Sequence, residues 1–404
     1  VTTIGLAYCD KRSRIFFDPT RAPLADAGVV REVHRDELIP APTGAVPMIL
    51  PGRRPLTARR AELRRYALAA ILPAGYTRLL VPAYAKEDGA PALPLFGYTF
   101  ACVVDDRLHV AATRTDEGED WQPRYFADGE LEGILDRRLA GDRLNRVLRQ
   151  VALCSREYGC FTAQNVFLER GEAALPVSPK CNARCVGCIS ELEPEAGFPS
   201  PQLRIAYEPD ADDLSRVAIH HLERVEDGIV SFGQGCEGEP LLRSTVIAQA
   251  CERIRARRSN GTINLNTNGS MPAALERCVE AGLQAVRVSL NSFRPRVYAA
   301  YYRPLGYGLD QVFESVRLAS RRGLRVSLNL LTHPGVTDDE EEIAAMTEFL
   351  HGVRVDMIQT RTLNIDPEWY FDSVGRPTNP IGMRAAIAAI YAAHVRVGNF
   401  THTH

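Results

Sequence analysis

From about Pro176 to residue 360, short β-branched or apolar runs alternate with amphipathic helical stretches, and no other feature narrows the fold as much. The candidate strands are LPVSP (175–179), GIVSFG (228–233), TINLN (262–266), AVRVSL (285–290), LRVSLNLL (324–331) and VDMIQT (355–360). Each is bounded by Gly, Asn or Pro, as a buried strand of a parallel sheet would be. Between them, DADDLSRVAIHHLERV opens on acids suited to capping, and LLRSTVIAQACERIRARR ends in a basic last turn. MPAALERCVEAG stops at Gly282 and DQVFESVRLASRRG at Gly323, both expected C-caps, and TDDEEEIAAMTEFL is expected to start at Thr337. Strand–helix units in series predict a parallel sheet with right-handed crossovers. Six rather than eight of them predict an α/β fold, a partial (β/α)6 TIM-type barrel, with its site at the C-terminal strand ends. GMRAAIAAIYAAHVRV (382–397) predicts a closing helix.

The first ~170 residues follow another pattern. They are rich in Pro and Arg, carry a strand-like YTFACVVDDRLHVAATR (98–114), and end in a helix-like GDRLNRVLRQVALCSREYG. They are expected to form an N-terminal α+β accessory domain. The expected division is 1–170 for that domain, 171–370 for the barrel and 371–404 for the closing helix.

Composition excludes little but points one way. Apolar content of 45% and a net charge of −2 over 404 residues are ordinary for a globular protein and give no global attraction to nucleic acid or membrane. The most apolar stretch, 66–85, is broken by Pro73, Gly75, Arg78 and Pro82 and reads as core, not a membrane span. VTTIGLAYCDKRSR lacks the features of a secretory leader. A chain of this size needs no disulfide staples, so its cysteines predict a reducing, cytoplasmic setting with metal-bound thiolates.

Three of those cysteines are spaced Cys181-x3-Cys185-x2-Cys188, in SPKCNARCVGCIS. Three thiolates so close can hold three irons of a cubane 4Fe–4S cluster and leave the fourth iron open to a small molecule. Structural zinc is the alternative, but it normally takes two Cys pairs or a pair with two histidines. No second pair follows; the next cysteine is Cys236, and His220 and His221 fall on a predicted helix.

The triplet, following a predicted first strand, resembles the signature of the radical S-adenosylmethionine (SAM) superfamily, and the resemblance extends over residues 175–365. SFGQGCEGEPLL (231–242) is similar to the family's Gly-Gly-Glu element. The resemblance gives Gly238, Glu239 and Pro240 the methionine ammonium of SAM. It places Asn266, Thr267 and Asn268, at the end of the third strand, and Ser289 and Asn291, expected on one face of the fourth by the period of two, around the ribose and carboxylate. Asn329, Gln359, Arg361 and Asn364 follow at the ends of the fifth and sixth. In the family the residue before the third cysteine is often aromatic; here it is Gly187, so either Ile189 or Val186 covers the adenine or the loop follows a different path.

What the resemblance implies is a 4Fe–4S cluster on Cys181, Cys185 and Cys188, and SAM on the open iron. Reductive cleavage of SAM then yields a 5′-deoxyadenosyl radical that abstracts hydrogen from a substrate. It further implies an external electron donor of the flavodoxin or ferredoxin type and a small-molecule or peptide substrate whose identity the sequence does not carry.

Further cysteines leave alternatives open. Cys154, Cys160 and Cys236 together offer ligands for an auxiliary iron–sulfur cluster; Cys236 alone offers a catalytic thiol; inert packing accounts for all three more simply. Cys251 and Cys278 read as core. His333 is either a substrate contact or proton donor at a strand end, or a solvent-facing loop residue. Tyr298, Tyr301 and Tyr302 read as core packing rather than a stacking platform.

Two other functions compete. RNA modification would use the basic pieces RARR (255–258), ASRRG (319–323) and LPGRRP (50–55), which read more simply as solvated faces and a loop. A non-catalytic iron–sulfur electron carrier would hold a cluster indifferent to SAM. Subfamilies with a cysteine-rich C-terminal extension, such as many peptide maturases and the molybdenum-cofactor cyclase, are not expected, because no cysteine follows Cys278. Neither is a cobalamin-dependent methyltransferase, since the N-terminal region lacks a doubly wound pattern.

Overall fold

The computed structural model describes residues 3–58, 65–93, 97–116, 130–257, 260–362 and 365–399; Arg258 and Asn364 lie outside them. Among these residues, seven parallel strands form one sheet in strict chain order. They are Glu172–Leu175, Ile229–Phe232, Thr262–Thr267, Ala285–Leu290, Arg325–Leu331, Met357–Arg361 and Arg396–Gly398. Helices between them pack on the outside, so the sheet curls into an open α/β barrel. Asp210 caps the helix Ala211–Leu222 by accepting from the Asp213 N–H at 2.8 Å, and Gly282 and Gly323 take the left-handed backbone expected of them.

Three expectations change. The first strand lies at 172–175, because beyond Pro176 the N–H groups of Val177 and Ser178 turn to the Glu237 carboxylate instead of a neighbouring strand. The helix before the sixth strand starts at Glu340; Thr337 instead accepts from His333 N at 2.9 Å. The predicted closing helix covers only Met383–Ala392, and the left-handed turn at His394 (φ 59°) releases the chain into a seventh strand.

The N-terminal region is built on an eight-stranded sheet in which, among the described residues, neighbouring strands pair antiparallel. Its central hairpin pairs Tyr98–Val104 with Arg107–Arg114 through Asp105 and Asp106, both at positive φ, the turn that matches strand twist. The helix Arg146–Tyr158 is capped by Asn145 and stopped by left-handed Gly159.

This sheet meets the C-terminal ends of the fifth, sixth and seventh barrel strands. Arg78 donates to Thr332 O at 3.0 Å, the Thr77 and Thr360 hydroxyls lie 2.5 Å apart, and Asn399 N donates to Asp116 at 2.9 Å. The firmest link is Arg53 with Asp366, 2.7 Å apart with side chains 0% and 4% exposed; Leu93 N donates to the same carboxylate oxygen. Removing one partner strands the other charge in the interior, so Asp366→Ala is expected to cost about 3–5 kcal/mol in chemical denaturation. A loss under about 1 kcal/mol, typical of an exposed pair, would contradict this reading.

Candidate functional site

The cysteines sit on the loop leaving the first strand, and that loop is stitched to its surroundings by backbone. Gly238 N donates to Ser178 O and Glu239 N to Lys180 O, both at 2.8 Å, so the segment after the second strand zips onto the peptide entering Cys181. Gly238 is required there: a Cβ would lie 2.0 Å from Lys180 O and 2.9 Å from Cys181 N. On the other flank, Arg184 N and Val186 N donate to Tyr302 O and Tyr301 O at 3.1 and 2.9 Å. Asn182 bridges to the third strand's end, donating to Ser270 Oγ at 2.9 Å and accepting from Asn268 Nδ2 at 2.8 Å.

Two carboxylates hold this arrangement. Glu237, absent from the sequence-based expectations, accepts four backbone N–H groups: Val177 and Ser178 on one oxygen, Gly233 and Gln234 on the other, all at 2.7–2.8 Å. It ties the ends of the first and second strands together. Glu239 accepts from Leu241 N (2.9 Å), Thr267 Oγ1 (2.5 Å) and Asn268 N (2.8 Å), tying the second strand to the third. A carboxylate offers about four lone-pair directions, so Glu239 keeps one free, on Oε2. Burial pushes both carboxyls up to about 7 against the pull of these donors.

The thiols are close to the surface without being open to it. Burial and the neighbouring Glu239 push Cys181 up to about 11, and burial pushes Cys185 well above its ordinary value. Neither would be a thiolate at neutral pH by itself; a bound iron deprotonates a coordinating thiol outright. Arg204 places Nη2 3.5 Å from Cys188 Sγ. Tyr301 and Tyr302 are buried beneath the loop with ring centroids 5.2 Å apart, and Tyr298 stacks on Tyr302 at 4.6 Å, which is the core packing expected of them.

Inside the barrel, period-two alternation gathers polar side chains. Ser289, Asn329 and Gln359 are register neighbours across the fourth, fifth and sixth strands. Arg361 follows one step above, donating to Asn329 Oδ1 (3.4 Å), Gln359 Oε1 (2.5 Å) and Asn399 O (3.2 Å). Among the described residues it makes no ion pair, and burial pulls it down to about 10, still charged at neutral pH. Arg287 and Glu172, missed in the sequence, form a buried pair at 2.5 Å, with Asn266 Oδ1 3.3 Å from the same Arg287 nitrogen. The parity that selected Ser289 also pointed Arg287 inward. A cavity of about 210 Å³ occupies the opposite, N-terminal half of the interior, lined by Asn264, Arg287, Ser327 and Gln359.

Other expected residues are placed differently. Asn266 braces the second strand's end through Phe232 O and Gly233 O. Asn291 lies beyond the fourth strand, fully buried, donating to Val297 O at 3.3 Å, so it does not join Ser289 on one open face. Cys236 does not offer a free catalytic thiol: it is buried against Cys154, whose sulfur also accepts from Gln150 Nε2 at 3.4 Å. Cys160 turns to Thr162 Oγ1 at 3.4 Å instead. Among the described residues no three His, Cys, Asp or Glu side chains converge on a single metal-ion site.

His333 is neither a loop residue in solvent nor open to a substrate. It is fully buried, its Nδ1 2.7 Å from Pro334 O and its ring against Tyr370 and Phe371. Burial holds it well below its ordinary 6.5, so the unfolded chain binds the extra proton and stability falls as pH drops below about 6.5. Its share is expected to approach about 1.4 kcal/mol per pH unit, and His333→Gln should flatten that slope in urea titrations at pH 5–7. An unchanged slope would show that His333 does not titrate in this way.

No described helix is long and apolar enough to cross a membrane. Residues 175–347 match the family model described as the Radical SAM superfamily. The GTP 3',8-cyclase of Rhodobacter capsulatus is 32% identical over 178 residues, 43% of this chain and 47% of that protein. Molybdenum cofactor biosynthesis protein 1 of Mus musculus is 29% identical over 198 residues, 48% of this chain and 29% of that protein. The chain thus spans less than half the length of either relative. A radical SAM methyltransferase from Sphaerobacter thermophilus superposes with a TM-score of 0.39 at 13% identity, covering 56% of this chain and 64% of that one. The matched segment opens on the first parallel strand and runs through the cysteine loop and the Gly-Glu segment zipped onto it, so the part of the chain that is similar to the Radical SAM superfamily is the part that carries the candidate site.

Proposed function

We propose that this chain is a radical SAM enzyme that cleaves SAM reductively. Members of the family bind a 4Fe–4S cluster and SAM, and the donor set here fits them: three unpaired thiols on one loop, beside a glycine edge where a side chain would not fit. When bound, the reduced cluster supplies an electron to the SAM sulfonium, giving a 5′-deoxyadenosyl radical able to take hydrogen from a substrate.

The chain's own part is binding, orientation and exclusion of water. Cys181, Cys185 and Cys188 ligate three irons. Gly238 presents its backbone edge, Pro240 fixes the turn, and the free lone pair of Glu239 receives the methionine ammonium. Asn266, Thr267 and Asn268 hold the third strand's end in place, while Ser289, Asn329, Gln359 and Arg361 offer donors to the ribose and carboxylate. The N-terminal sheet, resting on the ends of the fifth to seventh strands, limits water around the radical.

The zipper between Gly238–Glu239 and the peptide entering Cys181 carries this reading, because it brings both halves of a SAM site together. The test is anaerobic incubation of reduced, iron-loaded protein with SAM. Formation of 5′-deoxyadenosine is expected, and a cluster spectrum indifferent to SAM would support the electron-carrier alternative instead.

A second reading concerns the substrate. Among the described residues Arg361 gives its N–H groups to amide and carbonyl oxygens with no carboxylate in direct contact, and the cyclase relatives carry GTP in their name. Arg361 would then take an anionic group of a nucleotide. GTP should alter the rate of 5′-deoxyadenosine formation if this holds, and should leave it unchanged if it does not.

A further inference from the structure

Arg204 lies outside the barrel strands yet reaches the cysteine loop. Its Nε donates to Ser190 Oγ at 3.1 Å, its Nη1 to the Glu191 carboxylate, and its Nη2 points at Cys188 Sγ from 3.5 Å. Ser190 in turn donates to Glu237 O at 3.2 Å, which anchors the guanidinium to the segment zipped onto the cysteines. The side chain is 13% exposed, whereas its counter-ion Glu191 is 68% exposed, so it offsets the guanidinium charge only in part. Its charge also acts on Cys181 and Cys185. No part of the SAM-binding assignment uses this residue.

Reduction adds a negative charge to an iron–sulfur centre, and much of that charge resides on sulfur. A fixed N–H donor carrying positive charge therefore stabilises the reduced state more than the oxidised one. We propose that Arg204 is a positioning residue that donates a charge-assisted hydrogen bond to the iron-ligating Cys188 sulfur and so raises the reduction potential of the cluster. This rests on the radical SAM reading. It assigns Arg204 to easing electron entry, not to holding SAM or iron.

The test is an EPR-monitored redox titration of the full chain, reconstituted anaerobically, as wild type, Arg204→Met, Arg204→Lys and Glu191→Gln. Arg204→Met is expected to keep wild-type iron content and SAM affinity. Its ratio of reduced to oxidised cluster at a fixed poise should fall about tenfold, equivalent to about 59 mV for one electron. Lys should recover part of the shift. Glu191→Gln, on an exposed side chain, should move the potential the opposite way and reports even if Arg204→Met folds poorly. An unmoved potential in Arg204→Met and Glu191→Gln overturns the inference. So does a loss of iron in Arg204→Met and Arg204→Lys alike, which would make Arg204 a brace, or a loss of SAM affinity at constant potential. A wild-type protein that assembles no SAM-responsive cluster sinks the radical SAM reading first, and this inference with it.

Discussion

Cys185→Ala is expected to abolish SAM cleavage, with 5′-deoxyadenosine formation falling at least ~10³-fold, about 4 kcal/mol or more of lost transition-state stabilisation. Cys185 is close to Tyr301 and Tyr302, and no other cysteine stands ready to replace it. Cys154 and Cys236 are turned to each other, and Cys251 and Cys278 are in the core. Iron content should fall with activity while the far-ultraviolet circular dichroism stays unchanged. Wild-type iron and product in Cys185→Ala would mean that the loop does not hold the cluster.

The second large effect is expected at Gly238. In Gly238→Ala the new methyl would meet Lys180 O at 2.0 Å and the Lys180 carbonyl carbon at 2.4 Å. These are backbone atoms on the loop that carries Cys181, so no flexible side chain can yield. The bonds from Gly238 N to Ser178 O and from Glu239 N to Lys180 O must part, which moves both halves of the site. A cost of about 3–5 kcal/mol is expected, with loss of iron loading. Gly133→Ala is the control: it lies in the helix Leu131–Gly141, where the nearest atom to a Cβ is an Arg137 side-chain nitrogen at 3.4 Å. There the change should be neutral or stabilising by up to about 1 kcal/mol. Equal effects at the two glycines would remove the steric argument.

Much of the barrel was legible because its strands are buried on both faces and therefore read as continuous apolar runs between turn residues. The first strand was misplaced for a related reason. Glu172 looks unsuited to a sheet interior until Arg287, far along the chain, is seen to neutralise it. The seventh strand hid behind a helix pattern because three residues are too few to show a period of their own. In the site, spacing found the thiols, strand parity found Ser289, and position at a strand end found Asn329, Gln359 and Arg361. Parity failed at Asn291 because the strand ends at Leu290, and alternation means nothing past the last paired residue. Glu237 and Arg204 were out of reach, since their roles depend on backbone groups and a sulfur that only the folded loops bring near.

The meeting of the N-terminal sheet with the barrel has a practical consequence for anyone wishing to excise the matched segment. A fragment beginning near residue 171 would leave Asp366 without Arg53 and the Leu93 N–H, and would uncover Thr360 and the Thr332 carbonyl. Such a fragment should express poorly or aggregate. Catalytic dissection of this polypeptide is therefore better done by point substitution than by truncation.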